Sequence, residues 1–118
     1  MREMKICCAA LGLFFSGAAI SLEKDYLEPW CAERDGVTEY RLPDDTRVDC
    51  ELTCYSVEFD HAERMYEAVG QSLHYSRMTG KRAGIALILD ETTDSKYLKR
   101  LNDLIYHYRL PIDVWEVR

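Results

Sequence analysis

The stretch AGIALILD, residues 83–90, decides the architecture of this chain. It is an almost unbroken apolar run of strand length, and such a run is typical of a strand that is covered on both faces. Strands of this kind belong to parallel sheets, in which neighbouring strands are joined through helices. The stretch therefore predicts a strand of a parallel sheet, covered on both faces, with a helix before it and a helix after it.

Helical periodicity precedes this strand. Apolar residues recur at helical spacing up to about residue 78, and Thr79 and Gly80 end the pattern. Asp60 is predicted as the N-cap of this helix, with Glu63 three residues later completing an acidic version of the capping box. The predicted buried face of the helix consists of Ala62, Met65, Tyr66, Val69 and Leu73.

A second helix and a last strand follow the central strand. The helix is expected to end near Leu110, because Pro111 disfavours helical geometry in the residue before it. Residues 112–117 predict a strand, and a strand–helix–strand unit of this length forms a right-handed crossover between parallel neighbours. The predicted buried face of this helix consists of Tyr97, Leu98, Leu101, Leu104, Ile105 and Tyr108.

The front half of the chain predicts a small antiparallel meander. Apolar and β-branched residues indicate strands at 37–41, 47–52 and 55–59, and a Pro-Asp-Asp-Thr turn separates the first two. Residues 22–33 predict a short helix that is interrupted at Pro29. The element order is therefore α-β-β-β-α-β-α-β, which is an α/β fold with a mixed sheet and helices on its faces.

The N-terminus has the features of an export signal. Basic residues precede an apolar run over residues 6–15, and Ser16 and Ala18 fit a small-x-small cleavage site. This run is shorter than the roughly 20 residues that a membrane-spanning helix needs. We therefore predict a signal peptide at residues 1–19, a single α/β domain at residues 20–118, no membrane anchor after cleavage, and a periplasmic or secreted location.

The charge balance limits the classes of partner. The chain has 15 basic and 21 acidic residues and a net charge of −6, and loss of Arg2, Glu3 and Lys5 with the signal leaves 13 and 20, a net charge of −7. Long duplex nucleic acid is bound mainly by neutralising its phosphates, so this balance argues against a protein that embraces it. A local group of cations remains after the first long helix, either solvated at the helix C-terminus or forming a small phosphate- or partner-binding patch. Its members are Arg77, Lys81 and Arg82.

Signal cleavage leaves three cysteines, Cys31, Cys50 and Cys54. In an oxidising compartment two of them are expected to pair. Cys50 and Cys54 are poor partners in an extended strand, because they would lie about 13 Å apart and a disulfide spans at most about 7 Å between Cα atoms. A Cys31–Cys50 disulfide is therefore favoured, with Cys54 predicted as a spare thiol buried beside it.

Two acidic residues carry the strongest chemical signal. Asp49 in RVDCEL and Glu58 in YSVEFD lie on adjacent predicted strands, and a hairpin would direct both carboxylates to the same end of the sheet. Two carboxylates and a backbone carbonyl supply the hard oxygen ligands that Mg²⁺ prefers. Such an ion could activate a water molecule and neutralise the charge of a phosphodiester. The sequence therefore predicts a Mg²⁺ site at Asp49 and Glu58, and no other cofactor.

The order of the elements and these two acids resembles the PD-(D/E)XK nuclease fold. Enzymes of that fold place a metal-binding Asp before an E-x-K tripeptide, and a RecB-type branch adds Q-x-x-x-Y on the next helix, which Gln71 and Tyr75 match. Residues 48–89 are also similar to a family of small exported bacterial proteins of unassigned function, with a VDC…EFD…GQ…TGK…G pattern. The resemblance implies a restriction-endonuclease-like αβββαβαβ core, in which Asp49 and Glu58 bind Mg²⁺ and Gln71 and Tyr75 position the phosphate.

The chain departs from the nuclease pattern at one position. Asp60 stands where the Lys of E-x-K is expected, and a carboxylate there would repel both the attacking water and the phosphate. Arg64, one turn later, is the best candidate for a replacement cation, although arginine cannot deprotonate to activate water.

Two functions follow from this departure. The favoured one is a catalytically degenerate nuclease-like domain that serves as an interaction or scaffold module for a protein partner. The alternative is a small Mg²⁺-dependent nuclease that hydrolyses phosphodiester bonds in nucleic acid. An unrelated binding domain is expected instead if the sheet does not bring Asp49 and Glu58 together.

Overall fold

The computed structural model describes residues 22–118, so the predicted signal peptide lies outside the described part of the chain. The elements follow the predicted α-β-β-β-α-β-α-β order, which confirms the α/β class. Short 3-10 turns at Ala62–Arg64 and Thr92–Asp94 precede the second and third helices. The helices are α1 (Glu23–Glu33), α2 (Met65–Thr79) and α3 (Ser95–Tyr108), and the strands are β1 (Val37–Arg41), β2 (Arg47–Glu51), β3 (Tyr55–His61), β4 (Arg82–Ile88) and β5 (Ile112–Val117).

The five strands form one mixed sheet in the order β1-β2-β3-β4-β5. β1, β2 and β3 are antiparallel neighbours, which is the predicted meander. β3, β4 and β5 are parallel neighbours, with Glu58 opposite Ile85 and Ile85 opposite Val114. The apolar stretch at residues 83–90 therefore supplies a parallel strand with a parallel neighbour on each side, as predicted.

Helices cover both faces of the sheet, and the core lies in two layers. On one face, Leu27 and Trp30 of α1 pack against Phe59 and Ile88. On the other face, residues of α2 and α3 pack against the alternate side chains of β4 and β5; these residues include Met65, Ala68, Leu101, Ile85, Leu87 and Ile112. β4 is buried on both faces, which explains why its sequence shows no polar alternation.

The first helix differs from its prediction. α1 continues through Pro29 without a break, and the predicted interruption is wrong. A proline inside a helix removes one backbone hydrogen bond and crowds the preceding turn. Here Leu27, Trp30 and Cys31 are buried against the sheet on both sides of Pro29, so tertiary packing holds the helix together.

Among residues 22–118, no helix is long and apolar enough to cross a membrane.

The buried faces of the two longer helices are partly different from those predicted. Tyr66 on α2 is 60% exposed and Tyr108 on α3 is 64% exposed, so neither belongs to the core. The inner face of α2 instead includes two polar residues, Ser72 and Tyr75, which are buried. Ser72 donates to the carbonyl of Val69, and this bond lets a hydroxyl replace an apolar side chain in the interior.

The predicted disulfide is present and ties α1 to β2. Cys31 and Cys50 are bonded and fully buried. Gly36 lies directly against them, and a Cβ at this position would approach the Cys31 sulfur to 2.6 Å. Cys54 is exposed in the turn between β2 and β3, so its predicted burial is wrong. The carbonyl of Cys54 accepts the N–H of Arg82 at 3.2 Å, while its thiol is at the surface.

Candidate functional site

The hairpin of β2 and β3 brings Asp49 and Glu58 together. The regular ladder between these strands contains the pairs Cys50–Val57 and Glu51–Ser56. Beyond the Cys50–Val57 pair, the backbone N–H of Phe59 donates to a side chain on β2. Its acceptor is Oδ2 of Asp49, at 2.8 Å. This bond fixes the Asp49 side chain beside Glu58, whose exposed fraction is only 3%.

Burial controls the protonation of these two carboxyl groups. Desolvation, the charge of Asp49 and a hydrogen bond to Asp49 raise the pKa of Glu58. Desolvation also raises the pKa of Asp49, but the Phe59 N–H and the hydrogen bond to Glu58 oppose this effect. The shared hydrogen bond thus favours the proton on Glu58 and the charge on Asp49. We infer that at neutral pH the pair holds one proton, carried by Glu58.

Gln71 and Tyr75 of α2 enclose Glu58 from the helical side. The amide nitrogen of Gln71, in the orientation that satisfies its partners, donates to the two Glu58 oxygens at 2.9 and 3.2 Å. Tyr75 is buried, and desolvation followed by the charge of Glu58 raises the pKa of its hydroxyl. The structure therefore brings all four residues of the Asp49, Glu58, Gln71 and Tyr75 pattern to one place.

Glu23 is a member of this cluster that the sequence did not indicate. It lies in the first turn of α1, and burial together with the charges of Asp49 and Asp60 raises its pKa to about 7. An acidic residue in a first helical turn is ordinarily explained by the helix dipole. No local pattern connects Glu23 with strands that begin more than twenty residues later, so only the tertiary fold shows its neighbours.

The predicted role of Asp60 is wrong. Asp60 is not the N-cap of α2; it lies within β3, and its exposed fraction is 4%. Its Oδ1 accepts the Nε–H of Arg64 at 3.1 Å and the N–H of His61 at 3.1 Å. The capping pattern misled the prediction because the parallel pairing with β4 extends β3 to His61. Burial raises the pKa of Asp60, and the charge of Arg64 opposes this shift.

Arg64 is the cation among the candidate site residues, and it is held in ion pairs with neighbouring carboxylates. Its guanidinium pairs with Asp60 and also with Glu67 on the next turn of α2. Its charge partly offsets the raised pKa of Glu23 as well. Arg64 therefore neutralises neighbouring carboxylates, and the Asp49–Glu58 pair has its hydrogen bonds with Phe59 and Gln71.

The three cations at the C-terminal end of α2 do not form a common patch. Lys81 pairs with Glu51 at 2.8 Å and donates to the carbonyl of Leu52 at 2.7 Å. Arg82 pairs with Asp113 of β5 at 3.0 Å. Arg77 is exposed on the last turn of α2. The phosphate-patch interpretation of this group is therefore not supported, since two of its three members are held in separate ion pairs.

A divalent cation at this place would need oxygen ligands that are not already hydrogen-bonded within the protein. In the described part of the chain, no group of three or more His, Cys, Asp or Glu side chains is arranged to hold a metal ion. Asp49 and Glu58 lie close enough to share a hydrogen bond, but each also faces protein donors. The predicted Mg²⁺ site at Asp49 and Glu58 stays a prediction, and we derive no reaction step through it.

Comparison of the chain with protein-family models, with curated proteins and with solved structures returns no match. The resemblance to PD-(D/E)XK nucleases therefore rests on the order of the elements and on the residues named above.

Proposed function

We propose that this chain is an exported, nuclease-related scaffold that acts by binding and does not hydrolyse phosphodiester bonds. The observation that carries the proposal is the state of Glu58. Its side chain is 3% exposed, hydrogen-bonded to Asp49, and enclosed by the Gln71 amide. A carboxyl group held in this way links β2, β3 and α2, which is a structural role.

The charges around the pair also oppose hydrolysis of a phosphodiester. Asp60 and Glu23 lie near enough to raise the pKa of Glu58 through their charges, and Asp60 occupies the position of the nuclease lysine. Lys81 is held in an ion pair with Glu51, and Arg64 is held in ion pairs with Asp60 and Glu67. A phosphate entering the cluster would meet carboxylates, and such an approach costs free energy.

The disulfide supports the exported location. Disulfides form and persist in oxidising compartments such as the periplasm or the extracellular space. The Cys31–Cys50 bond is fully buried and joins two elements of the core, so it belongs to the folded state. Together with the export signal predicted for residues 1–19, this bond favours a protein that folds outside the cytoplasm.

One observation favours the alternative of a Mg²⁺-dependent nuclease. The charges of Asp49, Asp60 and Glu23 all raise the pKa of Glu58, so the cluster contains mutually repelling carboxyl groups. A divalent cation that displaced the shared proton would relieve this repulsion. Asp49 and Glu58 would then hold the ion, and Gln71 and Tyr75 would position the phosphate.

Calorimetric titration of the oxidised protein with Mg²⁺ and Mn²⁺ separates the two functions. We expect no saturable heat at millimolar metal and no cleavage of single- or double-stranded DNA or RNA. Asp49→Ala is the test variant, and Asp103→Ala, which removes an exposed acid from α3, is its matched control. Saturable binding that Asp49→Ala abolishes and Asp103→Ala retains, accompanied by cleavage, would establish the nuclease instead.

A further inference from the structure

The strand β5 forms an open edge of the sheet. Within residues 22–118 it pairs only with β4, and all six of its residues are in register with that neighbour. The carbonyl of Val117 accepts the N–H of Leu89 at 2.8 Å, so the backbone groups of Val117 point towards β4. Because these directions alternate along a strand, the groups of Val114 and Glu116 point outwards, as does the carbonyl of Ile112.

A groove of about 670 Å³ follows this edge. Its lining includes Tyr55 and Trp115, which belong to the core layer under α1, and Ile105 and Ile112, which belong to the layer under α2 and α3. Side chains from opposite faces of a sheet can line one groove only where the groove runs along the edge between the faces. The groove therefore leaves the edge open beside residues 112–115 of β5.

The opposite edge of the sheet is irregular. All five residues of β1 are exposed, and Glu39 has a positive φ of 53° in the middle of the strand. The ladder with β2 contains no pair at Glu39, although the residues on both sides of it are paired. Irregular edges of this kind resist pairing with another chain. β5 has no such interruption, so it is the edge that can accept a strand.

The β5 edge is also electrically neutral in an acidic protein. Asp113 is paired with Arg82 at 3.0 Å, and Glu116 is paired with Arg118 at 2.8 Å. The whole chain has a net charge of −6, so two copies repel each other over most of their surfaces. Two copies can approach through β5 without bringing uncompensated like charges together. A charged foreign peptide would gain no electrostatic attraction there.

We propose that two copies of this chain pair through antiparallel β5 strands about a two-fold axis at Val114. Val114 is the midpoint of the outward-facing residues, so this register uses the outward groups of Ile112, Val114 and Glu116 in each copy. It places Val114 opposite Val114 and Glu116 opposite Ile112, which keeps the two glutamates apart. The two sheets then form one continuous sheet. The pairing does not depend on whether the carboxyl cluster is catalytic.

The first test measures the mass of the oxidised protein by light scattering and sedimentation, from low micromolar to near-millimolar concentration. We expect a concentration-dependent dimer. Glu116→Pro removes the outward N–H and should give a monomer, whereas Glu116→Ala removes the same side chain, retains the N–H and should still dimerise. Near-UV circular dichroism checks that Glu116→Pro is folded, since β4 does not use the Glu116 N–H.

A second measurement tests the register in a Cys54→Ser background. Val114→Cys should be cross-linked between copies by a short bismaleimide reagent, because directly opposite residues of a hydrogen-bonded antiparallel pair lie about 5.5 Å apart between Cα atoms. Glu116→Cys is the matched control and should not cross-link. The pairing would be overturned by a wild-type protein that stays monomeric over the whole concentration range, or by a dimer that persists in Glu116→Pro. In either case the β5 edge would be open to a different chain. Cross-linking at Glu116→Cys in place of Val114→Cys would overturn the register.

Discussion

Burial of Glu58 beside Asp49 raises the pKa of its carboxyl group, and this has a consequence for stability. In the unfolded chain its pKa is near the ordinary value of 4.5, whereas in the folded protein desolvation and Asp49 raise it. Between these two pKa values the folded state keeps a proton that the unfolded state releases. The free energy of unfolding therefore falls as the pH rises through this interval, and the contribution of Glu58 is fully present only below pH 4.5.

We expect wild-type stability to fall from about pH 5 to about pH 8, by up to about 1.4 kcal/mol per pH unit for each retained proton. Glu58→Gln has no proton to release and still offers a donor to Asp49. The slope of its free energy of unfolding against pH should therefore be smaller by up to the contribution of one proton. A slope should remain, because the pKa values of Glu23 and Asp60 are also raised. Urea unfolding at a series of pH values measures the slopes.

The control for this prediction is Glu63→Gln, which makes the same change at an exposed position of the turn before α2. Its stability curve should follow that of the wild type across the pH range. A Glu58→Gln protein with an undiminished slope would show that Glu58 is not the group that retains the proton.

At the scale of elements, β4 packs tightly against its neighbours at Gly84. Gly84 lies under Trp115 of β5, and a Cβ at this position would stand 2.6 Å from the indole carbon Cζ3 and 3.3 Å from Val57 Cγ2. The parallel pairing of β4 with β3 and β5 fixes this approach on both sides. A glycine is therefore required by packing, even though the surrounding pattern is that of an ordinary buried strand.

Gly84→Ala is expected to destabilise the protein by about 1–3 kcal/mol, because Trp115 must move out of its rotamer or the strands must separate. The matched change is Gly70→Ala on α2, where a Cβ would meet nothing within 4 Å. That substitution should stabilise the helix by up to about 1 kcal/mol. Thermal and urea unfolding measure the change in the free energy of unfolding, which should be negative for Gly84→Ala and positive for Gly70→Ala. A loss of stability of the same size at both positions would contradict the packing explanation.

For the whole molecule, the disulfide fixes how α1 is placed on the sheet. Cys31 and Cys50 are 19 residues apart in the chain, and their bond closes a loop that contains β1. Closing a loop of this length restricts the unfolded chain and stabilises the fold by about 3 kcal/mol. The same bond holds in place the helix that carries Glu23, so it also supports the carboxyl cluster.

Replacing both Cys31 and Cys50 by alanine should lower the free energy of unfolding by about 3 kcal/mol and make it independent of reductant. Cys54→Ala should leave both stability and the effect of reductant unchanged, since Cys54 is exposed. Urea unfolding with and without dithiothreitol is the measurement. Equal stability of the double variant and the wild type under oxidising conditions would mean that packing alone places α1.

Much of the fold could be predicted because its signals are local. The apolar run of β4 and the helical spacing in α2 and α3 depend on residues a few positions apart, and the structure has these elements where they were predicted. The boundary between β3 and α2 was wrong, because Asp60 and Glu63 imitate a capping box. The end of β3 is set instead by the pair His61–Ile88, which no local pattern indicates.

The candidate site could be predicted only in part. Adjacent strands indicated that Asp49 and Glu58 would meet, and the nuclease-like spacing added Gln71 and Tyr75. Glu23 was missed, and Arg64 is bound to Asp60 and Glu67. The interaction of Glu23 with Asp49 and Asp60 depends on how α1 packs on the sheet, and residues distant in the chain show no periodicity relative to one another. The pairs of Arg64 are local, since Asp60 and Glu67 lie four and three residues away.

The sequence by itself determined the order of the elements, the apolar strand in the parallel part of the sheet, and the cysteine pair that geometry allows. Each of these follows from backbone preferences and spacings that act over a few residues, or from the length that a bond can span. Only the tertiary structure decided that Glu58 is buried, that Asp60 is buried within β3, that Cys54 is exposed, and that β5 is the regular open edge. Burial, charge interactions and strand pairing depend on distances between remote parts of the chain, and the fold alone sets those distances.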